Sequence, residues 1–160
     1  MSINVGDRIP DVEIKTMGPD GAPVPIRTGE ALGAGKVVLF AVPGAFTPGC
    51  SKIHLPGFVA QADELFAKGV SKIACTAVND AWVMDAWFQS QGVGDKILLL
   101  ADGSGEFARA MDLVLDGSGF GLGNRSKRYA AIIEDGVITS LDVDASGVEA
   151  SSCSAVLAKL

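Results

Sequence analysis

A threonine, a cysteine and a histidine lie within eight positions of one another, at Thr47, Cys50 and His54, in a run that also holds Pro43 and Pro48. Residues 37–42 are apolar and rich in β-branched side chains, as a buried strand is, and Pro43-Gly44 interrupts them. Thr47 is a good helix cap, and Pro48 loses nothing at a first helical position, where its missing N–H has no partner anyway. Cys50 then falls in the first helical turn. There, unpaired backbone N–H groups and the positive end of the helix dipole favour a thiolate, which is the nucleophilic form. Ionising a thiol near neutral pH takes roughly 3 to 4 kcal/mol of preference, whereas a helix end supplies about 1 kcal/mol. A cation must make up the difference, and arginine suits because its planar fork keeps its charge. Without one, Cys50 reads as a small buried apolar residue.

Candidate cations stand in Arg125-Ser-Lys127-Arg128. Alternation along a strand over 128–134 puts Arg128 on one face with Ala130 and Ile132, and leaves Arg125 in the preceding loop. The bland alternative is a set of solvated charges at a strand entry. His54 shares a helical face with Cys50, so Cys-x-x-x-His could supply two zinc ligands. A structural tetrahedral site takes four ligands and no second closely spaced pair exists, so no metal is expected and His54 reads as a packing and hydrogen-bonding residue. Cys75 lies mid-strand, as a core thiol would, and Cys153 begins a final helix. With no Cys-x-x-Cys in the chain, a thioredoxin-like disulfide reductase is disfavoured. Trp82 and Trp87 read as core or interface residues.

The ordered run Pro43-Gly-Ala-Phe-Thr47-Pro-Gly-Cys50-Ser, with His54-Leu-Pro-Gly-Phe58 downstream, resembles the peroxidatic segment of the type II (atypical) peroxiredoxins. The likeness extends from Val5-Gly-Asp7 to the Arg128 strand and the terminal helix. It implies a thiol-dependent peroxidase that reduces hydrogen peroxide and small alkyl hydroperoxides through a cysteine sulfenic acid, without metal, flavin or haem. The resemblance makes Cys50 the attacking thiolate, with Thr47 and Arg128 orienting the peroxide and Pro43 shielding the thiolate. His54 is a supporting residue that the family also carries. Glutathione with glutaredoxin, or thioredoxin, is the implied reductant, and a homodimer with Phe46 at its interface is the implied assembly. A Cys at position 75 can serve that family as resolving thiol, and some members use a C-terminal Cys, for which Cys153 is the candidate. Disulfide pairing needs Cα atoms within about 7 Å, which a first-turn Cys and a mid-strand Cys reach only by local unwinding. Resolution is therefore expected mainly through an external thiol. A non-catalytic thioredoxin-like redox-sensing or binding module is the alternative; it would keep the fold while Cys50 stayed inert.

The elements that must hold these residues follow from pattern. The 160 residues, 48% hydrophobic, suit one redoxin-type domain over 1–160. A net charge of -6 leaves no basic face for nucleic acid or an anionic membrane. The first residues lack the basic and apolar segments of a secretory signal, and three cysteines without framework spacing fit a reducing compartment, read here as the cytoplasm. Strands are predicted over 12–15 and 24–27 as an N-terminal hairpin, then over 70–78 and 97–101. Helices are predicted over 50–68 with a kink at Pro56, over 81–89 behind an Asn79-Asp80 cap, over 106–113 and from Ser151 or Ser152 to Leu160. Residues 116–124, glycine-rich but lacking any nucleotide fingerprint, read as a flexible loop. Asp135-Gly136 marks a hairpin between strands over 128–134 and 137–143. Strand–helix alternation followed by a hairpin and a helix gives an α/β, thioredoxin-like fold with a mixed central sheet flanked by helices.

Overall fold

A computed structural model describes residues 3–160. The chain runs through β1 (Glu13–Met17), β2 (Pro23–Arg27), α1 (Thr28–Ala31) and β3 (Lys36–Ala41) to a π-helical turn, Cys50–His54, that leads into α2 (Leu55–Ala67). Then come β4 (Lys72–Ala77), α3 (Ala81–Ser90), β5 (Leu98–Ala101), α4 (Glu106–Met111), β6 (Val114–Asp116), β7 (Asn124–Ser126), β8 (Arg128–Glu134), β9 (Val137–Asp144) and α5 (Cys153–Leu157). Seven strands form one sheet in the order β2-β1-β5-β4-β3-β8-β9. β3 pairs parallel with β4 and β4 parallel with β5, while β1 and β8 join antiparallel at the two sides. This is the expected thioredoxin-like arrangement with an N-terminal hairpin extension.

Parallel strands covered on both faces need apolar side chains at every position, and β3 from Val37 to Ala41 is fully buried. One face carries Val38 and Phe40 toward α2, where the Phe40 and Phe58 rings stack with centroids 4.0 Å apart. The other carries Val37, Leu39 and Ala41 against Phe107, Met111, Tyr129 and Ile138. On β8, Ala130 and Ile132 belong to the first cluster and Tyr129, Ala131 and Ile133 to the second, as alternation requires. The β8–β9 connection is made by Asp135 and Gly136, both at positive φ (49° and 84°), the geometry of a two-residue hairpin turn matched to strand twist.

Two expectations need correction. The glycine-rich residues 116–124 do not form a plain loop, because β6 and β7 pair antiparallel with Val114 opposite Ser126 and Asp116 opposite Asn124. The Gly117 N–H donates to the Gly123 carbonyl at 2.7 Å, and a Cβ on Gly117 would lie 2.9 Å from that of Leu122, so the glycine permits a close crossing of two backbones. The last helix stops at Leu157, with Ser152 as its cap accepting from the Ala155 N–H. No helix among the described residues is long and apolar enough to cross a membrane.

Candidate active site

The ladder of β3 continues one residue past the strand, where the Val42 N–H donates to Thr76 O at 3.1 Å, and then the chain leaves the sheet at Pro43. The loop is fixed by a bond from the Ala45 N–H to Asn79 Oδ1 at 2.9 Å, and Phe46 within it adopts a left-handed φ of 67° with its ring more than half exposed. The Thr47 hydroxyl donates to Gly44 O at 2.6 Å instead of capping the helix as expected, so its proton is committed and its oxygen lone pairs remain as acceptors.

In place of the kink expected at Pro56, the turn ahead of it widens. The Leu55 N–H reaches the Cys50 carbonyl five residues back, the π-helical bond. In the same pattern the Ser51 carbonyl would take the N–H of residue 56, which proline lacks. Gln91 Nε2 donates to that carbonyl at 3.1 Å, and Trp87 Nε1 donates to Ser51 Oγ at 2.9 Å. The wide turn therefore leans on Gln91, just past the end of α3, for the bond that its own backbone cannot make.

Cys50 is fully buried, and its Sγ accepts from Arg128 Nη2 at 3.1 Å. Arg128 Nη1 donates to His54 Nδ1 at 2.9 Å, and His54 Nε2 lies 2.9 Å from Ser151 O. A guanidinium cannot accept and a carbonyl cannot donate, so the imidazole must carry its proton on Nε2 and offer Nδ1 as acceptor. Burial, with Arg128's positive charge added, lowers the His54 pKa to about 4 against the pull of the Ser151 bond, which keeps the ring neutral. Its ring packs on Phe40 and Phe58, with centroids 5.0 and 5.6 Å away. The guanidinium lies close over the helix start, since a Cβ on Gly49 would sit 3.2 Å from Arg128 Nη2. Arg125 lies elsewhere: its Nε donates to Leu122 O at 3.0 Å and its Nη1 to Pro43 O at 3.5 Å, bracing the loop.

The structure thus gathers Cys50, His54 and Arg128, with Thr47 and Pro43 on the adjoining loop. The other two thiols share the core cluster of Cys50. Cys75 lies fully buried on β4 opposite Phe40 of β3, and burial, then the neighbouring Cys50, push its thiol well above the ordinary value. Burial, with Glu64 nearby, pushes the Cys153 thiol up to about 12. All three cysteines are free. A cleft of about 430 Å³ opens beside the site, lined by Pro43, Leu115, Lys127, Arg128, Val143 and Asp144. A larger cavity of about 720 Å³, between the ends of β4, α3 and β5, touches none of the candidate side chains.

Sequence reasoning missed Ser51, Trp87, Gln91, Asp144 and Ser151. Trp87 and Gln91 follow the helical period of α3, but nothing local marks their partner. Ser151 is 97 residues from His54, beyond the reach of any spacing argument. Asp144, the last residue of β9, accepts from the N–H groups of Glu149 (3.0 Å), Ala150 (3.0 Å) and Ser151 (2.9 Å) and from the Ser151 hydroxyl (2.6 Å). Burial opposes its ionisation, but those bonds outweigh it and hold the carboxyl at about 2.

Comparison with known proteins bears on the family and the fold. The Redoxin family model matches residues 4–157. Peroxiredoxin-2E, chloroplastic, of Arabidopsis thaliana is 47% identical over 94% of the chain, which spans 66% of that relative's length. Peroxiredoxin-2E-2, chloroplastic, of Oryza sativa subsp. japonica is 48% identical over 94% of the chain, which spans 69% of its length. Among solved structures, reduced Prx3 from Vibrio vulnificus in complex with H2O2 superposes with a TM-score of 0.93 at 46% identity, covering 98% of both chains. The cytoplasmic placement read from the free thiols does not stand, because those two plant relatives are chloroplastic by name. Free thiols speak for a reducing environment, and that condition does not separate one reducing compartment from another.

Proposed function

The chain belongs to the type II peroxiredoxins, thiol peroxidases of thioredoxin-like fold, and from that premise we propose that Cys50 is its peroxidatic residue, reducing hydrogen peroxide and small alkyl hydroperoxides through a sulfenic acid. The observation that carries the assignment is the 3.1 Å contact of Arg128 Nη2 with the buried Cys50 Sγ. A fixed guanidinium beside the sulfur supplies the cation that a helix start alone lacks. The sulfur attacks one peroxide oxygen, the S–O bond forms as the O–O bond breaks, and the departing oxygen takes a proton to leave as water or alcohol. Cys50 is oxidised by two electrons and the peroxide is reduced by two.

The other side chains divide the remaining work. Nη2 carries a second N–H that can stabilise charge growing on the leaving oxygen. Thr47 Oγ, its proton held by Gly44 O, accepts from the peroxide O–H and so sets which oxygen faces the sulfur. Pro43 walls the cleft with an apolar ring, and its neighbours Leu115 and Val143 leave room for a short alkyl group.

Glutathione with glutaredoxin is the proposed reductant. One thiol condenses with the sulfenic acid, releasing water, and a second returns Cys50 to its thiol as the disulfide leaves. Thioredoxin is the competing outcome of the same assay. The exposed Phe46 ring, 55% accessible at the edge of the active loop, supports a homodimer assembled there. Cys50→Ser should abolish hydrogen peroxide consumption while circular dichroism stays that of the parent. Turnover retained in that variant would end the assignment.

A further inference from the structure

The hydrogen bonds around Arg128 do not stop at His54. Arg128 Nη1 is held by His54 Nδ1, His54 Nε2–H by the Ser151 carbonyl, and that carbonyl's place in space is set by the loop between β9 and α5. The loop closes on a single side chain. The Asp144 carboxylate accepts from Glu149, Ala150 and Ser151, the last giving both its N–H and its hydroxyl. Ser151 and His54 are almost wholly buried, so the contact between them is shielded from water, whereas the Asp144 bond to the Glu149 N–H lies at the surface. Asp144 also lines the cleft beside Arg128, but its oxygens are turned to the backbone of its own loop.

We propose that Asp144 is a positioning residue of the peroxide-reducing site, acting through the Ser151 carbonyl and the neutral imidazole of His54 to hold Arg128 on the Cys50 sulfur. The proposal rests on the assignment of Cys50 and Arg128 above. Its physical content is geometric. Without the carboxylate, three backbone N–H groups and a hydroxyl lose their common acceptor, the loop relaxes, and the carbonyl that selects the Nε2–H tautomer moves away. The imidazole can then exchange tautomers. In the other tautomer a proton on Nδ1 opposes the Arg128 N–H, and the guanidinium leaves its 3.1 Å contact with the sulfur. A displacement of that kind at a reacting centre is worth about tenfold or more in rate.

The test is a double-mutant cycle read on the second-order rate with hydrogen peroxide. Asp144→Ala should slow the parent about tenfold, yet have almost no further effect in a His54→Ala background, because the same route is already cut. His54 is the one histidine of the chain, so its two ring nitrogens give an unobstructed ¹⁵N spectrum. The parent should show the Nε2–H form, and Asp144→Ala a mixture. A parent-like rate in Asp144→Ala, an equal loss in both backgrounds, or an unchanged tautomer would each overturn the relay. Should Asp144→Ala fail to fold, Ser151→Ala removes only the hydroxyl's bond and should shift rate and tautomer in the same direction by less; no shift in either would overturn the proposal as well. Peroxidase turnover in Cys50→Ser, or a parent rate in Arg128→Ala, would instead overturn the site assignment beneath it, so the two failures are distinguishable.

Discussion

At the scale of single residues, the site depends on which arginine touches sulfur. Arg128 donates to Cys50 Sγ, whereas Arg125 spends its donors on the Leu122 and Pro43 carbonyls. Arg128→Ala should therefore lower the rate with hydrogen peroxide by about a hundredfold or more, and Arg125→Ala by less than about tenfold. Stopped-flow rates for the two variants decide it, and equal losses would make Arg125 a second participant. Strand alternation set Arg128 on one face without knowledge of the partner, and the family resemblance gave it the role. The His54 interactions were not legible in that way, since both of its hydrogen-bond partners come from remote segments. That histidine also carries a pH signature, with Arg128, Cys50 and Asp144 the ionisable groups around it. Its pKa in the folded protein, about 4, lies below its ordinary 6.5, so the unfolded chain binds the extra proton first as pH falls. Stability from neutral burial is fully present above about 6.5 and is lost as pH drops toward about 4, by roughly 3 kcal/mol at most. Urea midpoints of the parent should fall across that window, and those of His54→Gln should fall less; parallel curves would remove His54 as the cause.

Among the elements, the wide turn Cys50–His54 is the one whose form depends on another helix. Gln91 of the segment after α3 supplies the donor that Pro56 withholds from the Ser51 carbonyl. Gln91→Leu should leave that carbonyl short of a partner at a cost of about 1 to 2 kcal/mol. The expected readout is local: amide exchange at Leu55, whose N–H closes the π-helical bond, should quicken about tenfold while β3 and β4 stay protected. Unchanged exchange at Leu55 would mean that α3 does not support the turn. The sequence marked a helix here with Pro56 as its weak point, but a wide turn differs from an ordinary one by a single hydrogen-bond offset that composition does not record. Strands with long alternation or continuous apolar runs were legible to within a residue or two, β3, β8 and β9 among them, and so was the Asp135-Gly136 turn. β6 and β7, at three residues each, are too short to display a period, and their glycines read equally well as a loop.

For the molecule as a whole, all three thiols are free although Cys50, Cys75 and Cys153 belong to one core cluster. Cys75 is held inside β4 between β3 and β5, so any approach of the two sulfurs must come from movement of the wide turn that carries Cys50. One equivalent of hydrogen peroxide without added thiol should therefore give a mass gain of one oxygen, and not the loss of two protons. Rapid, complete formation of a Cys50–Cys75 or Cys50–Cys153 disulfide would contradict this and make resolution internal. The same sheet draws its reactive centre from distant parts of the chain: Cys50 and Arg128 are 78 residues apart, and His54 and Ser151 are 97 apart. On a ribosome that adds about 5–20 residues per second, the last of these partners is made roughly 5–20 s after the histidine that it holds. For most of that interval Arg128 has not been made, and throughout it the imidazole lacks its Ser151 carbonyl, so the nascent thiol meets oxidants as an ordinary cysteine. Reactivity in this protein is thus a property that arrives only after residues 128 to 151 have been made.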